Sequence, residues 1–314
     1  MTHYYCTVLS KGYIHRGLIL YNSLKKYDQD FHFFFICMDD EVNLLLERMT
    51  LDRAILLNMK QIEAQDPELA AIKSTCNDKE YIWSSKGSVF LYLFRNYSEL
   101  NHIVWLDGDI EFYSDPEPIF GELRKCSILL TEERFVELDS GLNDIYGIFN
   151  TGLMGFEKNV NAINCIEWFR SKCIEWCYDR VEPGKWSDQM YVNNWPVMFD
   201  EVRIMKDIGV NVTAWNIQGA DVSKVDKDIY INGERLVFYH YSGLKFMNYS
   251  EFDLCSYIDL PEDVKELIYK PYIEKYQNII NYVDGFIDSF YNGLNYKEHK
   301  YLNYYSLGGE GTND

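Results

Sequence analysis

Apolar positions along the chain follow two patterns that together predict a mixed α/β protein. Short runs rich in β-branched and aromatic residues are typical of buried strands, and longer segments with apolar residues every three or four positions are typical of amphipathic helices. In the first third of the chain these patterns predict strands at Tyr4–Leu9, Phe33–Met38, Ala54–Leu57 and Ile103–Leu106, helices at Ile14–Lys26 and Glu41–Met49, and a mostly helical segment at Gln61–Arg95. Such alternation indicates a sheet of largely parallel strands flanked by helices.

The remainder of the chain continues this pattern and then becomes helical. Its predicted elements are helices at Asn161–Tyr178 and from Trp186, a hairpin or loop at Gln218–Glu234, and strands at Cys126–Thr131, Tyr146–Phe156, Val202–Met205, Val210–Trp215 and Leu236–Tyr239. Beyond Pro261 the segment Glu262–Gly293 is predicted to be helical with an interruption at Pro271. We expect one α/β domain over residues 1–260 and a C-terminal helical appendage over residues 261–314, whose tail from Leu307 is disordered.

The formal net charge of −19 argues against binding partners that need a basic surface. Nucleic acids and anionic membranes attract basic surfaces, so neither is expected as a partner bound through broad electrostatics. A phosphorylated substrate would also be repelled at long range, which makes a local divalent cation more necessary. No window is apolar enough for a membrane helix, although peripheral contact with a membrane stays open. Eight scattered cysteines and the absence of a signal-peptide pattern predict reduced thiols and a cytoplasmic protein.

Two acids directly follow the apolar run Ile103–Leu106. Asp107 and Asp109 are separated only by Gly108, so in extended chain their carboxylates point the same way. Ligands of open α/β sheets bind beyond the carboxyl ends of the strands, where these acids are placed. Paired carboxylates suit Mg²⁺ or Mn²⁺ carrying a diphosphate. The plainer interpretation is a turn, because Asp-Gly is also common turn chemistry.

A second polar group interrupts a buried segment. Apolar residues flank Asn150, Thr151 and Gly152 on both sides, so a polar triplet lies inside a predicted strand. Buried polar groups need partners, and a ligand hydroxyl is a natural candidate. Asp39-Asp40 ends the second strand in a similar way, although a solvated loop is the favoured explanation of that pair.

Taken in order, these segments resemble the GT-A nucleotide-sugar glycosyltransferases, most closely family 8, the type that includes glycogenin and lipopolysaccharide galactosyltransferases. The resemblance covers roughly the first 250 residues. Its motifs are the Asp107–Asp109 triplet after IVWL, FNTGLMGF at Phe149–Phe156, SDQ at Ser187–Gln189 and FYHYSGLKF at Phe238–Phe246. It implies the GT-A fold, in which helices flank a Rossmann-like mixed central sheet.

The resemblance also implies a role for each matching residue. Asp107, Asp109 and His240 would bind Mn²⁺, or Mg²⁺, on the diphosphate of a UDP-sugar donor. The residues lining the sugar and the attacking hydroxyl of a glycan or glycolipid acceptor would be Asp188, Gln189 and Asn150. The other nucleotide-sugar contacts would come from Thr7, Leu9, Tyr13, Lys86, Asp107, Gly108, Thr151, Gly243 and Lys245.

Several of these residues have a plainer interpretation when taken alone. Lys86, near a predicted helix start, and Lys245 would be solvated lysines. Ser187 could cap a helix that Asp188 favours through its charge, and His240 could be a structural histidine.

The implied activity is transfer of a hexose from a UDP-sugar, with retention at the anomeric carbon. An inverting enzyme would instead use a carboxylate such as Asp188 as general base. One alternative is a catalytically silent glycan- or nucleotide-binding module, although silent relatives usually lose a metal ligand and this chain keeps all three candidates. Another is a sugar nucleotidyltransferase, which typically has a glycine-rich basic loop after the first strand, where this chain has SKGYIHRG.

Overall fold

The computed structural model describes residues 2–136, 141–288, 290 and 301–307. Its strands are β1 (His3–Leu9), β2 (Phe31–Cys37), β3 (Ala54–Asn58), β4 (His102–Leu106), β5 (Ile110–Phe112), β6 (Ile128–Glu132), β7 (Phe149–Glu157), β8 (Val202–Ile204), β9 (Val222–Val225), β10 (Asp228–Ile231), β11 (Glu234–Arg235), β12 (Phe238–His240), β13 (Lys245–Phe246), β14 (Glu251–Asp253) and β15 (Tyr304–Ser306).

Its helices are α1 (Ile14–Tyr27), α2 (Asp40–Met49), α3 (Met59–Gln65), α4 (Pro67–Ile72), α5 (Asp78–Asn96), α6 (Glu117–Leu123), α7 (Asn143–Tyr146), α8 (Val160–Glu175), α9 (Gln189–Val192), α10 (Trp195–Met198), α11 (Glu262–Val264) and α12 (Lys270–Asp284).

A seven-stranded sheet in the order β3-β2-β1-β4-β7-β6-β8 forms the centre of the molecule. β3, β2, β1 and β4 are parallel, as the alternation of strands and helices predicts. β7 alone runs antiparallel to both of its neighbours, which makes the sheet mixed. Buried apolar residues cover both faces of the sheet, with α1 and α12 on one side and α5 and α8 on the other. This explains why the central strands are near-continuous apolar runs.

Strand β7 pairs with β6 through an irregular ladder. The register shifts between Leu130 and Thr131, whose partners are Met154 and Asn150. Three residues of β7, Thr151 to Leu153, therefore have no partner on β6, although Leu153 still pairs with Leu106 of β4. Such a bulge bends a strand and re-aims its side chains. Here it lies at the polar triplet identified from the sequence.

The predicted helical segment Gln61–Arg95 is divided into three helices. Asp66 accepts a hydrogen bond from Leu69 N, and Pro67 follows it, so α4 begins with its own cap. Asn77 closes a capping box that starts α5. Lys86 therefore lies in the middle of α5, and the prediction that it lies near a helix start was wrong.

The predicted strand at Val210–Trp215 was also wrong. Within the described part of the chain, one isolated bridge joins this segment to another strand, between Val212 and Tyr239. The guanidinium of Arg134 instead donates to the carbonyl oxygens of Asp207, Ile208, Val210 and Asn211. Because a side chain satisfies these carbonyl groups, the segment needs no strand partner there and coils beneath the site.

The C-terminal helices pack against α1 and against aromatic residues of β12 and of the segment that follows it. Helical conformation continues through Pro271, with a wide π-helical turn at Lys265–Tyr269 directly before it. A residue without an N–H leaves a carbonyl free, and π turns are one way in which helices accommodate this. The observed helix ends at Asp284. Residues 289 and 291–293 of the predicted helix, and residues 308–314 of the predicted tail, lie outside the described residues. No helix within the described residues is long and apolar enough to cross a bilayer.

Candidate active site

The two acids are held at the carboxyl end of β4, at the point where the sheet order reverses. Asp107 N donates to Gly152 O at 2.8 Å, and Trp105 Nε1 donates to Asp107 Oδ1 at 2.7 Å. β5 then carries the chain away from Asp109 and pairs with β12, which ends in His240. A Cβ on Gly108 would lie 3.1 Å from Leu9 Cδ2, so this residue is tightly packed against β1. The local structure thus brings three separate motifs to one sheet edge.

Asp107, Asp109 and His240 form an acid–histidine cluster whose ligand atoms lie within 4.8 Å of one another. His240 Nε2 is 3.2 Å from Asp109 Oδ1 and 3.9 Å from Asp107 Oδ2. Burial lowers the pKa of His240, but Asp109 and Asp107 outweigh it and raise that pKa overall. The pKa of Asp109 is lowered because the attraction of His240 and Arg16 exceeds the effect of its burial. Two carboxylates and an imidazole at this spacing fit a divalent cation.

Gly152 leaves room for the histidine of the cluster. A Cβ on Gly152 would lie 2.5 Å from His240 Cε1 and 2.7 Å from Asn150 Oδ1, closer than carbon atoms can approach. Gly152 N donates to Asn150 Oδ1 at 2.8 Å, which fixes the amide beside the imidazole. Glycine is therefore required here for close approach.

Lys86 lies beneath the acids and joins them to the SDQ motif. Its Nζ is 2.9 Å from Asp188 Oδ2 and 3.4 Å from Asp107 Oδ1, and it donates to Thr151 O at 3.0 Å. Lys86 is fully buried and Asp188 is 1% exposed. The carboxylates of Asp107 and Asp188 outweigh the effect of burial and raise the pKa of Lys86. The plainer interpretation of Lys86 as a solvated lysine was wrong.

Asp188 does not cap the helix that follows it. α9 has only four residues, and Asp188 makes no side-chain capping bond to it. Ser187 has a left-handed backbone, with φ of 47°, and its Oγ accepts from Gln189 N at 3.2 Å. This conformation costs energy in a residue other than glycine. It turns Asp188 inward, where burial raises the pKa of its carboxyl despite the opposing charge of Lys86.

Glu133 connects the two candidate catalytic amides, and it was missed at the sequence level. Its Oε1 accepts from Gln189 Nε2 at 2.6 Å and from Asn150 Nδ2 at 3.1 Å, and its Oε2 accepts from Trp215 Nε1 at 2.9 Å. Glu133 is 3% exposed, and burial raises the pKa of its carboxyl. The signal was present in the sequence, because Glu133 lies two residues after the predicted strand Cys126–Thr131, much as Asp107 and Asp109 lie just after Ile103–Leu106.

Four more of the predicted nucleotide contacts, Thr7, Leu9, Tyr13 and Gly243, lie on β1, just before α1 and after β12. Leu9 ends β1 and packs against Gly108, and the Tyr13 ring lies next to the same glycine. Thr7 is buried inside β1, and its Oγ1 has no hydrogen-bond partner among the described residues. Gly243 follows β12 with a left-handed φ of 89°, which glycine adopts without strain.

Lys245 lies two residues further along, on the short strand β13 opposite Asp253. It is half-buried. Its role in contacting a phosphate stays a prediction.

Arg16 is a second residue that the sequence reasoning missed. It lies on α1 with 9% exposure, stacks over Tyr13 and Phe246, and donates from Nη2 to Leu244 O at 2.9 Å. Its Nη1 is 4.0 Å from Asp109 Oδ2. An arginine on the apolar side of a buried helix was the available signal. Arg16 connects the segment after β12 with the acids.

Asp39 has a structural role instead. Its Oδ1 accepts from Val42 N at 2.8 Å at the start of α2, and its Oδ2 accepts from Lys11 N at 3.3 Å. The acids after the second strand thus cap a helix and hold a loop.

Comparisons with known proteins agree with this architecture. Two proteins of Bacillus subtilis (strain 168), both described as uncharacterized, are similar along almost the whole chain. YfnD is 30% identical over 296 residues, covering 93% of this chain and 94% of its own. YfnF is 31% identical over 309 residues, covering 95% of this chain and 99% of its own. No protein-family model matches the chain.

Solved structures similar to this one are glycosyltransferases. The galactosyltransferase LgtC, in complex with donor and acceptor sugar analogues, superposes with a TM-score of 0.56 at 14% identity, over 88% of this chain and 96% of its own. An active-site mutant of LgtC gives a TM-score of 0.53 at 13% identity, over 78% and 88%. This likeness confirms the predicted GT-A fold, with its mixed central sheet flanked by helices.

Proposed function

This chain belongs to the same family as YfnD and YfnF of Bacillus subtilis, and we propose that it is a metal-dependent glycosyltransferase of the family 8 type. It transfers a hexose from a UDP-sugar to a hydroxyl group of a glycan or glycolipid, with retention. The observation that carries this proposal is the acid–histidine cluster at the carboxyl edge of the sheet, next to the buried Lys86–Asp188 pair.

The cluster offers the ligands that a divalent cation on a diphosphate needs. Asp107, Asp109 and His240 would hold Mn²⁺ or Mg²⁺, and the bound ion would supply Lewis-acid stabilisation of the leaving diphosphate. The charge of −19 makes such neutralisation more necessary for an anionic donor. The uridine and the hexose follow from the resemblance of the motifs and not from any contact described above.

In this proposal Lys86, Asp188 and Thr151 bind the transferred sugar. A buried lysine fixed by two carboxylates cannot move far, so Asp188 and Thr151 present polar groups in a set geometry. Rigid polar groups of this kind bind sugar hydroxyls and stabilise charge that develops during transfer.

Retention is supported by the burial and bonding of Asp188 and Glu133, the two carboxylates of the site outside the acid–histidine cluster. A general base in an inverting enzyme must reach the incoming hydroxyl. Asp188 is buried and paired with Lys86, and Glu133 already accepts three side-chain hydrogen bonds. In a retaining reaction neither must take that proton, and the oxygens of the site instead stabilise positive charge at the anomeric carbon.

The test is release of nucleoside diphosphate from a panel of UDP-sugars in the absence of acceptor, with Mn²⁺ or with chelator. We expect slow metal-dependent turnover of one donor, and an Asp107→Ala variant slowed at least about 100-fold because charge stabilisation is lost. Asp40→Asn, which alters an exposed acid paired with Lys60, is the matched control and should retain activity.

Two other results would assign a different function to this protein. Tight donor binding without turnover, even with simple sugar acceptors, would identify a silent binding module. Pyrophosphate formed from a sugar phosphate and UTP would identify a nucleotidyltransferase.

A further inference from the structure

Three side-chain N–H donors from separate parts of the chain converge on the buried carboxylate of Glu133. Gln189 and Asn150 donate to one oxygen and Trp215 donates to the other. An ionised carboxylate can only accept hydrogen bonds, so it suits three donors. Its backbone carbonyl also accepts from Trp215 Nε1 and Asn216 Nδ2, at 3.1 and 3.2 Å. Glu133 is therefore bound through both its side chain and its main chain.

The carboxylate decides which way the two amides face. The nitrogen atoms of Gln189 and Asn150 point to Glu133, so their oxygen atoms point away from it. Asn150 Oδ1 accepts from Gly152 N and lies on the His240 side, and Gln189 Oε1 lies 3.4 Å from Thr151 N. Gln189 Nε2 also donates to Tyr146 O at 2.9 Å, which uses its second hydrogen. Neither amide can reverse without losing these bonds.

We propose that Glu133 is a positioning residue. It holds the amide oxygens of Gln189 and Asn150 toward Thr151 and Gly152, on the side of the site where the transferred sugar would bind. The catalytic consequence rests on the proposed function. Carbonyl oxygens carry partial negative charge, and fixed dipoles of this kind stabilise the positive charge that develops at the anomeric carbon. With the amides reversed, their N–H groups would face the same position and oppose the charge.

The test compares Glu133→Met with Glu133→Asp, and with Glu132→Met as a matched control. Glu132 is the preceding residue, half-buried and 3.4 Å from Lys206 Nζ, so it shares the chain environment without the amide contacts. Glu133→Met keeps the length of the side chain and removes both carboxylate oxygens, so the N–H groups of Gln189 and Asn150 lose the acceptor that fixes their orientation. We expect it to lower kcat of acceptor-free donor turnover about 100-fold while the donor KM changes less than about threefold.

Two further readouts separate positioning from a general loss of structure. The affinity for Mn²⁺, measured by electron paramagnetic resonance, should stay within about twofold of the wild type, because the acid–histidine cluster makes no bond to Glu133. Glu133→Asp should recover part of kcat, since it keeps an acceptor on a shorter side chain. A kcat unchanged in Glu133→Met, or Mn²⁺ affinity and kcat lost together in all Glu133 variants, would overturn the proposal.

A stability measurement tests the orientation independently of the reaction. Glu133→Met and Gln189→Leu remove the same hydrogen bond, so together they should lower the urea midpoint by less than the sum of their separate effects. Additive effects would count against the proposal. If the wild type turned over no donor, the proposed function would fail, while this cycle would still decide the role of Glu133. If Glu133→Met does not fold, Glu133→Gln takes its place, with a smaller expected loss because its amide keeps one acceptor oxygen.

Discussion

Lys86 and Asp188 form an ion pair sealed from water, with 2.9 Å between Nζ and Oδ2. We predict that Lys86→Met lowers the free energy of unfolding by about 3–5 kcal/mol, because two carboxylates then lack their counter-charge. Lys86→Met combined with Asp188→Asn should cost less than Lys86→Met alone. Urea unfolding of the two variants and of Asp188→Asn checks this, and a double variant worse than either single one would contradict it.

Gly152 sets the position of His240. We predict that Gly152→Ala weakens Mn²⁺ binding about 10-fold or more, because a Cβ 2.5 Å from the imidazole must displace it. Mn²⁺ titration followed by electron paramagnetic resonance measures the affinity. Gly155→Ala, three residues along β7, is the control: its Cβ would meet Leu123 and Leu129 at 3.2 Å and should lower stability without changing the affinity.

Metal binding should stabilise the folded protein. At free Mn²⁺ of about 100 times the dissociation constant, the free energy of unfolding should rise by about 2.7 kcal/mol, and chelator should reverse the gain. His240→Ala should lose most of this response, whereas His32→Ala on β2 should keep it. Thermal unfolding with and without Mn²⁺ is the measurement, and an equal response in both variants would contradict the assigned ligand set.

His102 makes stability depend on pH. Burial lowers its pKa to about 4 from 6.5. The unfolded chain therefore binds a proton near pH 6.5, whereas the folded chain binds it only near pH 4. The free energy of unfolding falls as pH decreases through this window. We expect the wild type to lose about 2.5 kcal/mol more than His102→Phe between pH 7.5 and pH 4.5.

The matching control for His102 is Tyr4→Phe. Tyr4 lies against the same imidazole, with ring centroids 5.6 Å apart, and does not titrate in this range. It should lose stability with acid just as the wild type does. A His102→Phe variant as acid-sensitive as the wild type would show that other groups cause the dependence.

The parts of the fold that sequence predicts well are those with a regular pattern. β1, α1 and β2 match their predicted positions within a few residues, because unbroken apolar periodicity determines both their type and their burial. The segment Val210–Trp215 has the same alternation but is not a strand. Its partner is the side chain of Arg134, and no local pattern reports that a distant guanidinium will bind a carbonyl.

The candidate site also contains some residues that the sequence identifies and others that it does not. Asp107 and Asp109 were identifiable because they follow a buried strand, and that rule applied equally to Glu133, where it was not used. Lys86 was harder to interpret, because its burial depends on Asp188, about 100 residues later in the chain. Arg16 depends in the same way on Leu244 and Phe246. The pairing of a charged side chain with a residue far away in the chain is therefore what could not be predicted from the sequence alone.

The bulge divides β7 into two parts in which substitutions meet different constraints. From Met154 to Phe156 each residue pairs with a strand on both sides, so a substitution there is constrained by the packing of two neighbours. Thr151 and Gly152 have no partner on β6, and their main-chain oxygens go instead to Lys86 and Asp107. Under the proposed function, selection could therefore alter the sugar preference through Thr151, while Gly152 stays fixed by the close approach of His240 and the rest of the strand holds the sheet together.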